Sequence, residues 1–247
     1  MATTRAGPPE PSGSSLGGSA NMGDVAAAVL LRWSLVQMPP AVEIAPDLLR
    51  LAADALEAPL PAGLRAKDRK LAGARRLSVA HAFARSVDWT AFDWYWLEGG
   101  LEWERRDRSL KQMYGGPKAP PSIPADIKRE VLARDGWRCR YCHLRVITSP
   151  ALTALEKRLP AALPIGRTDF ECHRMQCVLR LTWDHIKARA AGGANDATNI
   201  VVSCGACNYN KGSSSLEELR LRNPLDREPP RDEWDGLNGR LGTKPLP

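Results

Sequence analysis

Residues 181–212, LTWDHIKARAAGGANDATNIVVSCGACNYNKG, decide how the rest of the chain is read. An apolar run, Leu179, Leu181 and Trp183, ends in the pair Asp184-His185. A Gly- and Asn-rich loop follows, then the β-branched run Ile200 to Val202, then Cys204-x-x-Cys207-Asn208. The pattern predicts strand, loop, strand and a short helix. A carboxylate, an imidazole, amides, two thiols and a lysine share this one stretch, a set suited to a metal-dependent active site. Neighbouring side chains on a strand point to opposite faces. Asp184 and His185 therefore serve one site only if the strand ends there and the backbone turns, which the loop from Lys187 to Asn195 permits.

A second Cys-x-x-Cys pair, Cys139 and Cys142, lies upstream at the end of IPADIKREVLARDGWRCRYC, residues 123–142. With Cys204 and Cys207 it supplies four soft ligands that suit tetrahedral zinc at about 2.3 Å per Zn–S bond. Four thiolates leave no open position, so such a zinc is a folding element that sets the loop between the two pairs. Cys139-Arg-Tyr-Cys142-His143 also spells a c-type haem attachment pattern. That chemistry needs export and a free thiol pair, and the second Cys-x-x-Cys argues against it.

The helix and first cysteine knuckle, the Asp-His pair, Asn199 in mid-loop, the second knuckle and the Asn208-x-x-Lys211 tail occur in the order of the HNH endonucleases. The chain resembles the subgroup whose ββα-metal core is tied by two Cys-x-x-Cys knuckles, over roughly residues 123–220. The resemblance implies that His185 deprotonates the attacking water and that Asn208 is a second metal ligand through its amide oxygen, where other members carry His. Asp184 offers a hard oxygen to Mg²⁺ or Mn²⁺. Asn199 is expected to tie the loop by hydrogen bonds to the backbone and keep His185 oriented. Lys187, Arg189 and Lys211 are expected on phosphates flanking the scissile one, with Arg138 and Arg140, and Arg134 beside them, extending the track.

The first knuckle and the Asp-His pair are separated by residues 143–180, an insertion long for a compact member of the family. Its middle reads as one helix capped by Ser149 with Pro150 at the first position. His143, Cys172, His173 and Cys177 have irregular spacing, and a second zinc is not expected from them.

The net charge is +7, and between Arg138 and Arg189 ten basic residues face only four acidic ones. A polyanion is the natural partner for such a segment. No apolar run approaches the ~20 residues needed to span a bilayer. All six cysteines lie between 139 and 207, a usage that favours metal over disulfides and predicts a cytoplasmic protein.

The expected fold class is α+β, a mostly helical N-terminal region followed by a small ββα-metal domain with a structural zinc. The expected boundaries are a disordered tail at 1–21, a helical domain at 22–115, a Gly/Pro-rich linker at 116–124, the nuclease domain at 125–222 and a C-terminal tail at 223–247. In the helical region, Asp24 caps an apolar run that Pro39-Pro40 stops. Pro46 starts a second helix through Ala58, and a third, about 64–87, carries Leu71, Leu77, Ala80 and Phe83 along one side. His81 reads as a packed helix residue. Trp89, Phe92, Trp94, Tyr95, Trp96 and Trp103 sit among acidic residues, which favours a core or protein-docking role over base stacking.

Two functions follow from these expectations. One is a metal-dependent endonuclease acting on DNA, with His185 as general base beside one divalent cation. The other is an inactive, zinc-stabilised nucleic-acid-binding or assembly module.

Overall fold

The computed structural model describes residues 38–88, 90–92, 122–163 and 174–246. The expected tail at 1–21, the helix capped by Asp24, the residues Trp89, Trp94, Tyr95, Trp96 and Trp103, most of the linker, Cys172 and His173 lie outside these residues.

Helix α1 is Pro40–Glu57 and helix α2 is Ala66–Arg85. The helix expected to start at Pro46 starts earlier, at Pro40. Pro40 supplies the preset φ of a first helical residue, and Pro46 sits inside the helix with its ring buried. Continuing the helix through Pro46 places Val42 and Ala45 on the stripe that runs on through Leu49, Ala52, Ala53 and Leu56, all buried. Burying Val42 is worth about 1.5–3 kcal/mol, the same order as the ~3 kcal/mol cost of an interior proline.

The expected stripe on α2 holds in part. Ala80 is fully buried and Phe83 half-buried, but Leu71 and Leu77 are 55% and 41% exposed, and Ala84 is fully buried in their place. Small residues on both helices, Ala45, Ala52 and Ala53 against Ala80 and Ala84, let α1 and α2 pack closely. Leucines on that side of α2 would hold the helices apart. Arg76 closes the connection by donating to the Ala58 carbonyl just past the end of α1. Phe92 is fully buried, while His81 is half-buried.

The second region begins with α3, Ala125–Asp135. Its last residue is fully buried, and the Asp135 carboxylate accepts the Val202 backbone N–H at 2.9 Å, fixing the helix to the sheet. A tight hairpin follows, with Arg138 bridged to Arg145, Cys139 N–H donating to Leu144 O and His143 N–H to Cys139 O. Helix α4 is Ser149–Arg158. Its cap is Thr148, one residue before the expected Ser149, because the Thr148 hydroxyl accepts the Ala151 N–H at 3.3 Å.

After α5, Arg174–Leu179, comes strand β1, Leu181–His185, paired antiparallel with β2, Ile200–Cys204. The register sets Leu181 opposite Cys204 and His185 opposite Ile200. Helix α6, Gly205–Lys211, leaves β2 directly. Every residue of β2 is buried, since α3 and α6 both pack on it. The architecture is α+β, with helices around a two-stranded sheet and a helix leaving its second strand.

Residues 223–246, expected as a tail, pack on both regions. Trp234 is 4% exposed and donates its indole N–H to Val146 O at 2.8 Å, and Leu237 is fully buried. Asp232 pairs with Arg138 and Arg145, while Arg240 pairs with Asp54 of α1. The segment straps the sheet region to the helical pair.

Candidate active site and metal centre

Two backbone turns bring the thiols together. Cys139 and Cys142 stand on the hairpin after α3, and Cys204 and Cys207 close β2 and open α6, where the Cys207 N–H points at the Cys204 sulfur at 3.4 Å. The four sulfur atoms lie within 4.8 Å of one another, and Cys142 and Cys204 are 3.8 Å apart. A tetrahedron with ~2.3 Å metal–sulfur bonds has edges of about 3.8 Å, so the donor set fits zinc. Burial pushes the Cys139 thiol up, but bonds from the three neighbouring sulfurs pull it well below its usual value. Sharing hydrogens with Cys139 and burial drive Cys204 well up. One thiolate thus opposes the next, a conflict that a divalent cation removes. Both thiols of the Cys-x-x-Cys-His signature face this cluster. It is the one such group of ligands among the described residues.

Close backbone packing places α6. A Cβ on Gly205 would stand 1.7 Å from the Cys177 carbonyl oxygen, so only glycine lets the helix start against α5. Gly193 plays the same part in the loop, where a Cβ would stand 1.8 Å from Lys187 O and 2.8 Å from the Asn199 amide nitrogen.

Asn199 spans that loop. Its side chain accepts the Lys187 N–H at 2.8 Å and donates to Lys187 O and Ala194 O at 3.1 and 2.9 Å. The loop so held turns the chain directly after β1, with Ile186 N–H donating to Asn199 O, and both Asp184 and His185 are buried at 4% and 8% exposure.

The His185 Nε2 atom lies 2.7 Å from Asn195 Oδ1 and 3.2 Å from Arg189 Nε. One nitrogen cannot donate to the first and accept from the second. With Nε2–H donating to Asn195 the lone pair is on Nδ1; with Nε2 accepting from Arg189 the hydrogen is on Nδ1. Burial holds the imidazole below the usual histidine value, helped by the charges of Arg189 and Lys211 and opposed by the Asn195 bond. The ring is neutral, and basic, at pH 7.

Asp184 carries a different load. Its Oδ2 accepts the Tyr141 hydroxyl at 2.6 Å, and Lys211 Nζ lies 3.4 Å from Oδ1 and 3.3 Å from Oδ2. Burial pushes its carboxyl up to about 6, against the lowering charge of Lys211 and the bonds from Tyr141 and Lys211. Burial and the Asp184 charge push Tyr141 far above its usual range, so the phenol stays a donor.

Lys211, expected on the phosphate track, is fully buried, and its ammonium also donates to His185 O at 2.7 Å. Its place is set by α6, whose spacing directs residues 208 and 211 to one side. Asn208 is half-buried on that side, one turn before Lys211. Two of the expected track residues are tied up internally as well, Arg140 buried and Arg138 half-buried. Arg140 is 3% exposed, 3.6 Å from Asp135, and donates to Pro224 O and Arg227 O, while Arg138 holds Asp232 and His143 O. Arg134 is spent on Asp135, Ala197 O and Ile200 O. Only Lys187 and the half-buried Arg189 remain near the mouth of the site.

The fold thus joins Asp184, His185 and Lys211 with two residues that the sequence did not single out. Asn195 is hidden in a loop where asparagine is an ordinary turn former. Tyr141 had a signal, a hydroxyl-bearing aromatic set between the cysteines of a Cys-x-x-Cys pair, but nothing local ties it to residue 184.

Residues 170–214 match the family model for HNH endonucleases. That stretch carries the similarity to the HNH endonuclease domain, and the four clustered cysteines, two of them within the match, fit a zinc knuckle. Such a domain points to nuclease-type or nucleic-acid-binding function. No curated protein and no solved structure matches the chain. Among the described residues no helix is long and apolar enough to cross a membrane.

Proposed function

We propose that the chain is a metal-dependent endonuclease hydrolysing phosphodiester bonds in DNA. The observation that carries this reading is the setting of His185, an imidazole that burial keeps neutral, with Nε2 held 2.7 Å from Asn195 Oδ1. On this reading Nε2–H donates to Asn195 and Nδ1 is the basic nitrogen that a general base needs.

Asp184 and Asn208 would hold the divalent ion. One carboxylate and one amide suit a weakly bound Mg²⁺ or Mn²⁺ that keeps several waters, and Oδ1 of Asp184 bears only the long 3.4 Å contact. When bound, the ion supplies charge stabilisation at the phosphoryl oxygens. His185 Nδ1 takes the proton of the attacking water, and Asn195 holds the ring as it becomes imidazolium. Asn199 keeps the loop closed beneath it. Lys187 and Arg189 steady the flanking phosphates. The four cysteines hold the zinc that fixes the hairpin against α6.

The second reading, an inactive nucleic-acid-binding or assembly module, draws on the Asp184–Lys211 pair, because the carboxylate already has an internal cation. Single-turnover nicking of supercoiled plasmid separates the two. His185→Ala should lower cleavage by the ~10²- to 10⁴-fold that a positioned base contributes, with DNA binding intact. Wild-type cleavage by this variant refutes the mechanism. Absence of cleavage by folded, DNA-binding wild type with either metal favours the second reading.

A further inference from the structure

Lys211 and Tyr141 both reach the Asp184 carboxylate, but they constrain it differently. The Lys211 ammonium straddles it, at 3.4 Å from Oδ1 and 3.3 Å from Oδ2, so it neutralises charge without choosing between the oxygens. The Tyr141 hydroxyl takes one oxygen, Oδ2, at 2.6 Å. A short bond to a single oxygen sets the rotation of the carboxyl plane and leaves Oδ1 as the oxygen with donor capacity for a cation.

Tyr141 is itself held from three sides. Cys139 and Cys142 flank it, each in the four-sulfur cluster. Arg227 donates one guanidinium nitrogen to both Arg140 O and Tyr141 O at 2.8 Å. The Arg140 N–H donates to Val202 O of β2 at 2.9 Å, and β2 pairs with the strand that carries Asp184. The phenol is therefore fixed relative to β1 by the backbone as well as by the cysteines. The residues that build this support, 137–145 and 224–227, lie outside the 170–214 family match.

We infer that Tyr141 is the positioning residue for the divalent-cation ligand Asp184, presenting its Oδ1 to the ion through the hydrogen bond on Oδ2. The inference rests on the reading of Asp184 as a ligand. Partners of this kind, which orient a ligand without touching the metal, typically contribute about 10- to 100-fold in affinity.

The test is Mn²⁺ binding, followed by electron paramagnetic resonance on zinc-loaded full-length protein without nucleic acid. Wild type, Tyr141→Phe and Asp184→Asn are titrated in parallel, with zinc content and melting measured for each. Tyr141→Phe should weaken Mn²⁺ binding at least tenfold with zinc content unchanged, and Asp184→Asn should abolish it. If Asp184→Asn abolishes binding while Tyr141→Phe binds as wild type, the positioning role is overturned and the ligand assignment stands. If Asp184→Asn binds as wild type, the ligand assignment itself fails and takes this inference with it. Should Tyr141→Phe not fold, 3-fluorotyrosine at position 141 alone keeps the ring and strengthens the donor. An unshifted Mn²⁺ affinity in that protein also overturns the inference.

Discussion

Lys211→Met removes the internal counter-ion of Asp184 while keeping an unbranched side chain in the same space. With zinc bound and no other divalent ion added, the ammonium lies 3.3 Å from Asp184 Oδ2 and 2.7 Å from His185 O, with side-chain exposures of 0% and 5% for Lys211 and Asp184. Solvent screening is therefore slight. In the wild type the Asp184 carboxyl sits at about 6, above its ordinary 3.8. The folded state holds that proton more tightly than the unfolded chain does. The wild type accordingly loses stability as pH rises through this window, by about 3 kcal/mol at ~1.4 kcal/mol per unit.

Breaking a buried pair costs about 3–5 kcal/mol, equivalent to a further two to four units. This carries the Asp184 carboxyl well above its value in the wild type. The lost bond to His185 O adds about 1 kcal/mol. Urea unfolding followed by tryptophan fluorescence should put the variant within about 1 kcal/mol of wild type at pH 5.5. The gap should be about 2 kcal/mol at pH 7 and 3–5 kcal/mol at pH 9. A gap of the same size at all three pH values, or none at pH 9, would refute the counter-ion role.

The remaining predictions concern the supports of the site. Elemental analysis should find close to one zinc per chain, and Cys204→Ser should lose both the metal and cooperative unfolding of the sheet region, since structural zinc contributes about 10–16 kcal/mol in small domains. Soluble, folded wild type without zinc contradicts this. Asn195→Ala should reduce cleavage within the ~10²- to 10⁴-fold range of a positioned base while leaving DNA affinity unchanged, because only the tautomer and ring orientation of His185 are lost. Unaltered single-turnover rates would show that Asn195 does not orient the ring. Trp234→Ala should cost about 3–5 kcal/mol in a denaturant melt, and a loss below about 1 kcal/mol would mean that residues 223–246 rest on the domain without securing it.

Short-range pattern made the core of this protein legible. The alternating run ending at His185, the Gly-rich loop, the β-branched run at 200–202 and the two Cys-x-x-Cys spacings each depend on residues a few positions apart, where period and turn chemistry act directly. Those signals set β1, β2 and α6 in order and picked out the four cysteines that the fold brings together. They misjudged Pro46, whose local penalty was outweighed by a burial stripe that only packing against α2 rewards, and they added Leu71 and Leu77 to Ala80 on the stripe of α2 when close helix contact required Ala80 and Ala84.

Which groups meet was decided by the tertiary structure. Tyr141 bonds Asp184 across 43 residues of chain and Lys211 reaches it across 27, distances over which no periodicity carries information. A sequence shows Lys211 and Arg140 simply as cations, and a cation in isolation reads as a surface contact for phosphate. Burial beside a carboxylate or a cluster of carbonyls converts the same charge into an internal tie. The energy that does so, desolvation set against pairing, exists only once the chain has folded around it.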